Sequence, residues 1–187
     1  MKLKILFTII LFLFASLGSA DELRNAVDSR DRSEKNIARD EFRKPYETLS
    51  FFQLEPDMTI VELSPGGGWY TEILANFIRK SGNLIAAHFS KDSDRAYFRD
   101  SRINFEKKVK ENNLYEKVTV VDLNSELSDP SSVDAVLTFR NLHNWLGPNM
   151  DKIFSNSYVA LKPGGLFGIV EHRAKAGTSM ELSLIHI

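Results

Sequence analysis

Residues 59–74 read Thr-Ile-Val-Glu-Leu-Ser-Pro-Gly-Gly-Gly-Trp-Tyr-Thr-Glu-Ile-Leu, and this stretch decides the fold. Its first five residues form a largely apolar, β-branched run typical of a buried parallel strand. Three glycines follow, and the apolar residues after them recur with helical spacing. Strand, glycine turn and helix together predict the first βα unit of a Rossmann-type sheet. Such a turn brings backbone N–H groups and a helix N-terminus close to a ligand, and Glu62 at the strand end can accept hydrogen bonds from ribose hydroxyls.

The composition is that of an ordinary globular protein without a strong charge bias. The 187 residues are 43% hydrophobic and 26% charged, and the formal net charge is -1. This balance gives no indication of a nucleic-acid partner. The chain has no cysteine, which excludes disulfides, thiolate metal sites and cysteine nucleophiles.

The first 20 residues have the pattern of a secretory signal peptide. Lys2 and Lys4 precede an apolar run over residues 5–17, and small residues end the segment at Ala20. The run is short for a membrane span, so cleavage after Ala20 is favoured over an uncleaved anchor. The sequence therefore predicts export, with the bacterial periplasm as the favoured compartment and no stable membrane anchor after cleavage.

Residues 21–44 are predicted to form a charged leader followed by a helix. Few apolar residues occur in 21–32, so this part is interpreted as solvated. Ser33 is a candidate N-cap for the helix that follows. Pro45 suits the first turn of the next helix, and the main domain is predicted to cover residues 45–181.

Beyond residue 58 the predicted strands and helices alternate, which indicates a parallel sheet with right-handed crossovers. The predicted strands are 59–63, 84–89, 118–121, 133–139 and 166–170. The predicted helices between them are 69–80, 94–111 and 149–160. Residues 161–165, Leu-Lys-Pro-Gly-Gly, are predicted to form a turn before the last strand.

Several motifs in this order resemble those of class I S-adenosylmethionine-dependent methyltransferases. Residues 62–68, Glu-Leu-Ser-Pro-Gly-Gly-Gly, resemble the family's first motif, an acidic residue followed by Gly-x-Gly-x-Gly. Residues 161–165 resemble its Leu-x-Pro-Gly-Gly turn, and residues 134–137 resemble the start of its fourth strand. The set is similar to a group of exported, mostly uncharacterised predicted methyltransferases, through the segments 66–72, 86–89, 138–145 and 171–173. The resemblance covers about residues 34–174.

This resemblance implies a Rossmann-like parallel sheet with flanking helices, S-adenosylmethionine as the cofactor, and methyl transfer to a small-molecule acceptor. In the family two further strands complete the sheet, so the domain is expected to be truncated before them. The last six residues, 182–187, read Leu-Ser-Leu-Ile-His-Ile and match one reading frame of a sequencing adapter. They are therefore interpreted as a non-native tail.

The candidate site residues are polar or aromatic side chains and glycines at the carboxyl ends of the predicted strands, where open α/β sheets bind ligands. The predicted cofactor-binding residues are Glu62, Ser64, Gly66, Gly67, Gly68, Tyr70, His88 and Asp122. The predicted catalytic residues are Arg140, Asn141, His143, Glu171 and His172. Methyl transfer requires alignment, exclusion of water and sometimes a general base, which a histidine or glutamate of this group can provide.

Structural roles are the alternatives for several of these residues. Asp122 suits the capping of a turn, and Glu171 with His172 and Arg173 suits an ion-pair cluster. Two positions also depart from the family pattern. Ser64 stands where the first glycine is usual, and His88 stands where an acid usually binds the ribose hydroxyls.

Three alternatives to a methyltransferase are a non-catalytic binding module, a nicotinamide oxidoreductase and a metal site. Because S-adenosylmethionine is a cytoplasmic metabolite, the alternative to an exported enzyme is a re-purposed Rossmann-like module that binds another ligand without catalysis. A nicotinamide oxidoreductase is disfavoured, since Thr71 occupies the last glycine position of Gly-x-Gly-x-x-Gly counted from Gly66. His88, His143 and His172 all follow strands, but no two have helical ligand spacing, so no metal site is predicted.

Overall fold

After the N-terminal helices, strands and helices alternate, except that the fourth strand follows the third without a helix between them, as predicted. The structure is a computed structural model that describes residues 18–173 and 175–179. The helices are α1 (18–27), α2 (Glu34–Ile37), α3 (Asp40–Arg43), α4 (Pro45–Phe51), α5 (Trp69–Ile78), α6 (Ala96–Glu111) and α7 (Pro148–Ala160). The strands are β1 (Thr59–Leu63), β2 (Asn83–His88), β3 (Val118–Asp122), β4 (Val133–Phe139) and β5 (Leu161–Val170). Short 3-10 helices lie at Asn113–Tyr115 and Leu142–Asn144. Residues 1–17 of the predicted signal peptide and the predicted tail at 182–187 lie outside the described residues.

Strand β1 is the centre of the sheet. The strand order is β3-β2-β1-β4-β5, and every neighbouring pair is parallel. The four residues of β1 after Thr59 are buried, which explains why the strand lacks a polar alternation. From β1 the chain adds β2 and β3 on one side of the sheet, and it then adds β4 and β5 on the other side. A crevice therefore opens beyond the carboxyl ends of β1 and β4, where this change of side occurs.

The two faces of β1 enter two different hydrophobic clusters. Ile60 packs in a cluster with residues of α1, α4 and α5, whereas Val61 and Leu63 pack with residues of α7 and with Trp145. This alternation follows the two-residue period of a strand. Glu62 therefore points to the same face as Ile60, where it is buried next to α5.

The N-terminal segment belongs to this core, and the prediction that residues 21–32 are solvated is wrong for helix α1. Leu23, Ala26 and Val27 are buried, at 3%, 3% and 7% exposure. Their i, i+3, i+4 spacing places them on one helix face, while Arg24 and Asn25 between them are exposed on the other. Three apolar residues among many charges are enough to dock a short helix.

Within residues 18–173 and 175–179, no helix is long and apolar enough to cross a membrane.

Strand β5 begins earlier than predicted. It starts at Leu161 and includes the Pro-Gly-Gly sequence that was expected to form a turn. The turn is nevertheless visible in the pairing, because Val133 pairs with Leu161 whereas Ala135 pairs with Leu166. Gly164 has a φ of 81° within this irregularity, a conformation that glycine adopts without strain. The regular pairing with β4 therefore begins at Leu166, where the sequence placed the strand.

Candidate functional site

Two adjacent cavities open beyond the carboxyl ends of the strands. The first has a volume of about 700 Å³ and lies over β1, β4 and the N-terminal helices. The second has a volume of about 530 Å³ and lies towards β2 and β3. Ser64 and Asn141 line both cavities, so the two meet where β1 and β4 end. Of the thirteen predicted site residues, the first cavity collects nine: Glu62, Ser64, Gly66, Gly67, Tyr70, Arg140, Asn141, His143 and His172.

The carbonyl groups of the glycine turn are bound by neighbouring side chains, whereas its N–H groups face open space. Lys108 Nζ donates to the Gly67 carbonyl at 3.1 Å, and a ring nitrogen of His88 contacts the Gly66 carbonyl at 3.1 Å. Within the described part of the chain, the N–H groups of Gly66 and Gly67 have no hydrogen-bond partner. A Cβ atom added at either residue would meet nothing within 4 Å. The turn thus presents two free donors to an open space, as a ligand-binding turn must.

Ser64 occupies an unusual position at the start of this turn. Its φ is 53°, a left-handed conformation that the family's usual glycine would adopt more easily. The residue is buried, yet its hydroxyl oxygen has no hydrogen-bond partner within the described residues. Buried hydroxyls without a partner are uncommon, and this one lies where the two cavities meet. A bound ligand is therefore the natural partner for Ser64.

Glu62 is a buried carboxyl group at the wall of the first cavity. It is 2% exposed and accepts a hydrogen bond of 2.6 Å from the Thr71 hydroxyl. Burial raises the pKa of Glu62 to about 7, although the Thr71 bond and the charge of Lys108 act in the opposite direction. A carboxyl group held this far from its ordinary pKa inside a cleft is a frequent mark of a functional site.

His88 has a positioning role and does not face either cavity. The ring is 0% exposed, its Nδ1 accepts a hydrogen bond from the Phe89 N–H at 2.8 Å, and its Nε2 is left to donate to the Gly66 carbonyl. Burial lowers the pKa of His88, which favours this neutral form. With both ring nitrogens occupied, His88 has no atom left for a ribose hydroxyl. The structure thus corrects the expectation of direct cofactor contact, and His88 instead fixes the glycine turn.

Gly68 and Asp122 also have structural surroundings. Gly68 has a φ of 79°, and a Cβ there would come within 3.0 Å of Phe105 and 3.2 Å of Lys108 Nζ. Asp122 accepts a hydrogen bond of 2.9 Å from the Asn124 N–H, so it caps the turn after β3. Neither lines the two cavities, whereas Leu123 and Asn124 after Asp122 do line the second.

The predicted catalytic residues are brought together by the ends of β4 and β5. His143 Nδ1 lies 3.0 Å from Glu171 Oε2, and the Arg140 Nε donates to His172 Nε2 at 2.7 Å. Burial tends to raise the pKa of Glu171, but the bonds from the His172 N–H and from His143 outweigh it and leave that pKa below its ordinary value. An ionised carboxylate only accepts hydrogen bonds, so His143 Nδ1 is the donor in this contact, and its Nε2 has no hydrogen-bond partner among the described residues.

Arg140 and Asn141 connect this group to the glycine turn. Arg140 has a φ of 64°, and its N–H donates to the Val170 carbonyl at 2.7 Å, which ties the ends of β4 and β5 together. The Asn141 amide donates to the Ser64 carbonyl at 3.2 Å. Tyr70 stacks on Phe139 with ring centroids 3.6 Å apart, and burial raises the pKa of its hydroxyl. These contacts fix the floor of the first cavity.

Sequence reasoning missed one wall of the first cavity. Lys35, Asn36, Arg39 and Arg43 line it from the N-terminal helices, and Trp69 lines it from α5. The spacing of four between Lys35, Arg39 and Arg43 was the available signal, because residues four apart would share one face of the helix predicted from Ser33, although the structure divides this segment into α2 and α3. A helix was predicted from Ser33, but its basic residues were not assigned to the site.

The second cavity has an aromatic lining suited to a flat ring. Phe89 and Phe98 stack with centroids 4.2 Å apart, and Trp145, which is 6% exposed, lies on another part of the wall. Aromatic faces of this kind bind heterocyclic bases by stacking. Within the described ranges, no group of three or more His, Asp or Glu side chains is arranged to hold a metal ion.

Comparison with known proteins identifies the family. A family model described as "Methyltransferase domain" matches residues 61–169, which is more than half of the chain. The chain belongs to the methyltransferase domain family. The predicted enzyme class is thereby confirmed, and the family implies S-adenosylmethionine as the cofactor. No curated protein is similar enough in sequence to count as a match.

Solved structures share the methyltransferase fold at low sequence identity. An S-adenosylmethionine-dependent methyltransferase from Aquifex aeolicus is 19% identical with a TM-score of 0.60, over 83% of this chain and 78% of its own. A candidate methyltransferase of the same kind from Methanococcus maripaludis is 16% identical with a TM-score of 0.53, over 83% of this chain and 64% of its own. The [4+2]-cyclase SpnF is 18% identical with a TM-score of 0.55, over 79% of this chain and 51% of its own. The predicted Rossmann-like class I fold is confirmed, and the cyclase shows that this fold also serves other reactions.

The residues of the methyltransferase site fit the implied cofactor. The free N–H groups of Gly66 and Gly67, the open space above them and the unpartnered Ser64 hydroxyl suit the polar part of a nucleoside cofactor. The aromatic second cavity suits its base. The fit therefore stands on the local structure as well as on family membership.

Proposed function

We propose that this methyltransferase transfers the methyl group of S-adenosylmethionine to a small-molecule acceptor bound in the first cavity. The observation that carries the proposal is the His143–Glu171 pair, whose free imidazole nitrogen belongs to a residue lining that cavity. A non-catalytic binding module has no need of a histidine oriented by an ionised carboxylate.

Different parts of the site would hold different parts of the cofactor. The base would lie in the second cavity against Phe89, Phe98 or Trp145, and the ribose hydroxyls would meet Ser64, Glu62 or the N–H groups of the glycine turn. When bound, the cofactor supplies a methyl group that is already activated for nucleophilic attack. The chain's own residues are therefore left with the tasks of aligning the acceptor, excluding water and accepting a proton.

His143 is the proposed general base. Its Nε2 would accept the proton of the acceptor's nucleophilic N–H or O–H group as that atom gains the methyl group. Glu171, bonded to the opposite ring nitrogen, orients the ring and stabilises the positive charge that forms on it. His172 Nε2 accepts a bond from Arg140, which orients that guanidinium beside the same wall.

We expect S-adenosylhomocysteine to bind the 187-residue chain, and a carboxylate placed at Gly67 to weaken that binding. Gly67 is exposed, and a Cβ there meets nothing within 4 Å, so Gly67→Asp leaves the fold intact while its carboxylate covers the free donors of the turn. Calorimetric titration should show an affinity for S-adenosylhomocysteine about tenfold or more below that of the wild type. Gly67→Ala is the matched control and should lose less.

Two results would count against the proposal. One is a wild-type chain, shown by its melting curve to be folded, that does not bind S-adenosylhomocysteine; this result would favour the re-purposed binding module. The other is a Gly67→Asp variant that binds as tightly as the wild type. Equal melting temperatures for the three proteins ensure that lost binding is not lost folding.

We also propose that the chain is exported through its N-terminal segment. The basic residues, apolar run and small residues of positions 1–20 support this proposal. The buried apolar residues of α1, Leu23, Ala26 and Val27, all follow Ala20, so cleavage there keeps the apolar face that docks α1, although it removes Ser19, whose hydroxyl donates to the Leu54 carbonyl at 2.8 Å. Expression in a bacterial host, followed by fractionation and mass spectrometry, should give a periplasmic protein that begins at Asp21. An intact chain confined to the cytoplasm would refute export.

A further inference from the structure

The first cavity has a strongly basic wall. Lys35, Arg39 and Arg43 line it from the N-terminal helices, and Arg140 lines it from the end of β4. The acidic residue among the lining side chains is Glu62, and its carboxyl group is turned towards the Thr71 hydroxyl in the interior. A cleft with four cationic side chains and one buried carboxyl group concentrates anions.

These four cationic side chains lack acidic partners. In the described chain, none of them has a carboxylate oxygen within 4.0 Å, and the side chains of Lys35, Arg39 and Arg43 make no hydrogen bond. Arg32, on the same segment, shows the opposite arrangement, because its guanidinium makes two bonds of 2.6 Å and 2.7 Å to Asp40. The chain thus neutralises the arginine behind the cavity and leaves those that line it unpaired.

Arg43 is packed against an aromatic ring that is itself fixed by a hydrogen bond. Its guanidinium carbon lies 4.7 Å from the centre of the Trp69 ring, and Trp69 is itself fixed by a bond of 2.8 Å from its Nε1 to the Asn36 carbonyl. The Nε of Arg43 is buried without a hydrogen-bond partner among the described residues. Burial lowers the pKa of Arg43, and the nearby positive charges of Arg39 and Arg140 lower it further by repelling its charge. An anion between them would remove both the unsatisfied donor and the repulsion.

Arg140 is held in place from the opposite side. Its Nε is used by His172, while its terminal nitrogens make no hydrogen bond within the described residues. A carboxylate or phosphate bound by the terminal nitrogens of Arg140 and by Arg43 would lie in the same cavity as His143.

We infer that the methyl acceptor is an anion whose carboxylate or phosphate is bound by Arg43, Arg140 and Arg39 in the first cavity. The inference rests on the proposed methyl-transfer function and names the class of its substrate. The cofactor's own carboxylate has the same chemistry, so the experiment must separate these two sources.

The test uses inorganic phosphate as the probe and the 187-residue chain as the protein. Calorimetric titration with phosphate is run against sodium chloride of equal ionic strength, with and without saturating S-adenosylhomocysteine. We expect phosphate to bind the wild type with the same affinity in both conditions, because an acceptor anion and the cofactor product occupy the site together. Competition between phosphate and S-adenosylhomocysteine would overturn the assignment to the acceptor. It would mean that the basic side chains bind the carboxylate of the cofactor.

Variants show whether the basic wall binds the probe. Arg43→Gln should weaken phosphate binding about tenfold to a hundredfold, as expected for one lost charge-assisted contact. Arg39→Gln should weaken it as well, and because Arg39 is exposed this variant tests the site without risk to folding. Arg79→Gln is the matched control, since Arg79 follows the far end of α5 and pairs with Asp31 on the surface.

The outcomes distinguish this inference from the proposed function. If the wild type binds S-adenosylhomocysteine but not phosphate, the anion inference is wrong while the methyl-transfer proposal stands. If Arg43→Gln and Arg39→Gln bind phosphate like Arg79→Gln, the inference is also wrong. If phosphate binds but S-adenosylhomocysteine does not, the acceptor assignment fails together with the proposed function.

Discussion

Replacing His143 by glutamine is expected to lower kcat roughly a hundredfold to ten-thousandfold, the usual contribution of a general base. Glutamine can still bond to Glu171, so the packing of the β4 and β5 ends is retained, but it has no nitrogen that accepts a proton. The measurement is the initial rate of S-adenosylhomocysteine formation with an acceptor selected from a panel of small carboxylates and phosphates. Affinity for S-adenosylhomocysteine should stay near the wild-type value, because His143 is not among the residues proposed to hold the cofactor.

Glu171→Gln tests whether Glu171 acts through His143. We expect a smaller loss of kcat, about tenfold, with an unchanged KM, because the substrate still binds while the imidazole loses its ionic partner. A His143→Gln variant that keeps kcat within about threefold of the wild type would exclude His143 as the base. In that case the pair with Glu171 is a structural ion pair at the end of the sheet.

The fold could be predicted because its decisive signals are local. The β-branched run of β1, the triple glycine and the helical spacing after it lie within residues 59–74, and each has one common structural meaning. The same holds for β4, whose predicted bounds are those observed. Helix α1 was missed because its apolar face has few members, and whether such a helix docks depends on a sheet surface formed much later in the chain.

The site could be predicted in part, for a related reason. Parallel strands bring their carboxyl ends to one edge, so the grouping of Arg140, His143 and Glu171 followed from the strand order. The direction of a side chain at that edge did not follow. His88 ends β2 as expected, but its ring turns inwards to the glycine turn and away from both cavities. The spacing of four among Lys35, Arg39 and Arg43 indicates a shared basic face, but the placement of that face over the cavity depends on how residues 35–43 fold over the sheet.

Glu62 gives the second large effect, a pH-dependent change in stability. Its pKa rises from an ordinary value of 4.5 to about 7 in the folded chain, mainly because of burial. The folded state therefore binds the proton more tightly than the unfolded state does. The resulting stability is fully present below pH 4.5 and is lost as the pH rises through 7, by roughly 3 kcal/mol in total.

Glutamine at position 62 imitates the protonated carboxyl group at every pH. We therefore expect Glu62→Gln to match the wild type near pH 4.5 and to exceed its free energy of unfolding by up to roughly 3 kcal/mol at pH 8. Denaturant unfolding of both proteins at several pH values checks this, and the difference between them cancels the contributions of the other carboxyl groups. Glu116→Gln, at an exposed position, is the control for the loss of a glutamate charge at the surface. A Glu62→Gln difference that is flat or negative at pH 8 would show that the carboxylate is well accommodated.

A stability gain from removing one buried charge raises the question of why the charge is there. Sites that keep a destabilising group commonly use it for function. If Glu62 accepts hydrogen bonds from the cofactor, binding favours its ionised form, so wild-type affinity for S-adenosylhomocysteine should increase between pH 6 and pH 8. Glu62→Gln should bind more weakly at pH 8 and show no such increase. A stabilised variant that also keeps the wild-type affinity and its pH dependence would instead mean that the carboxyl group serves only to hold Thr71 at the start of α5.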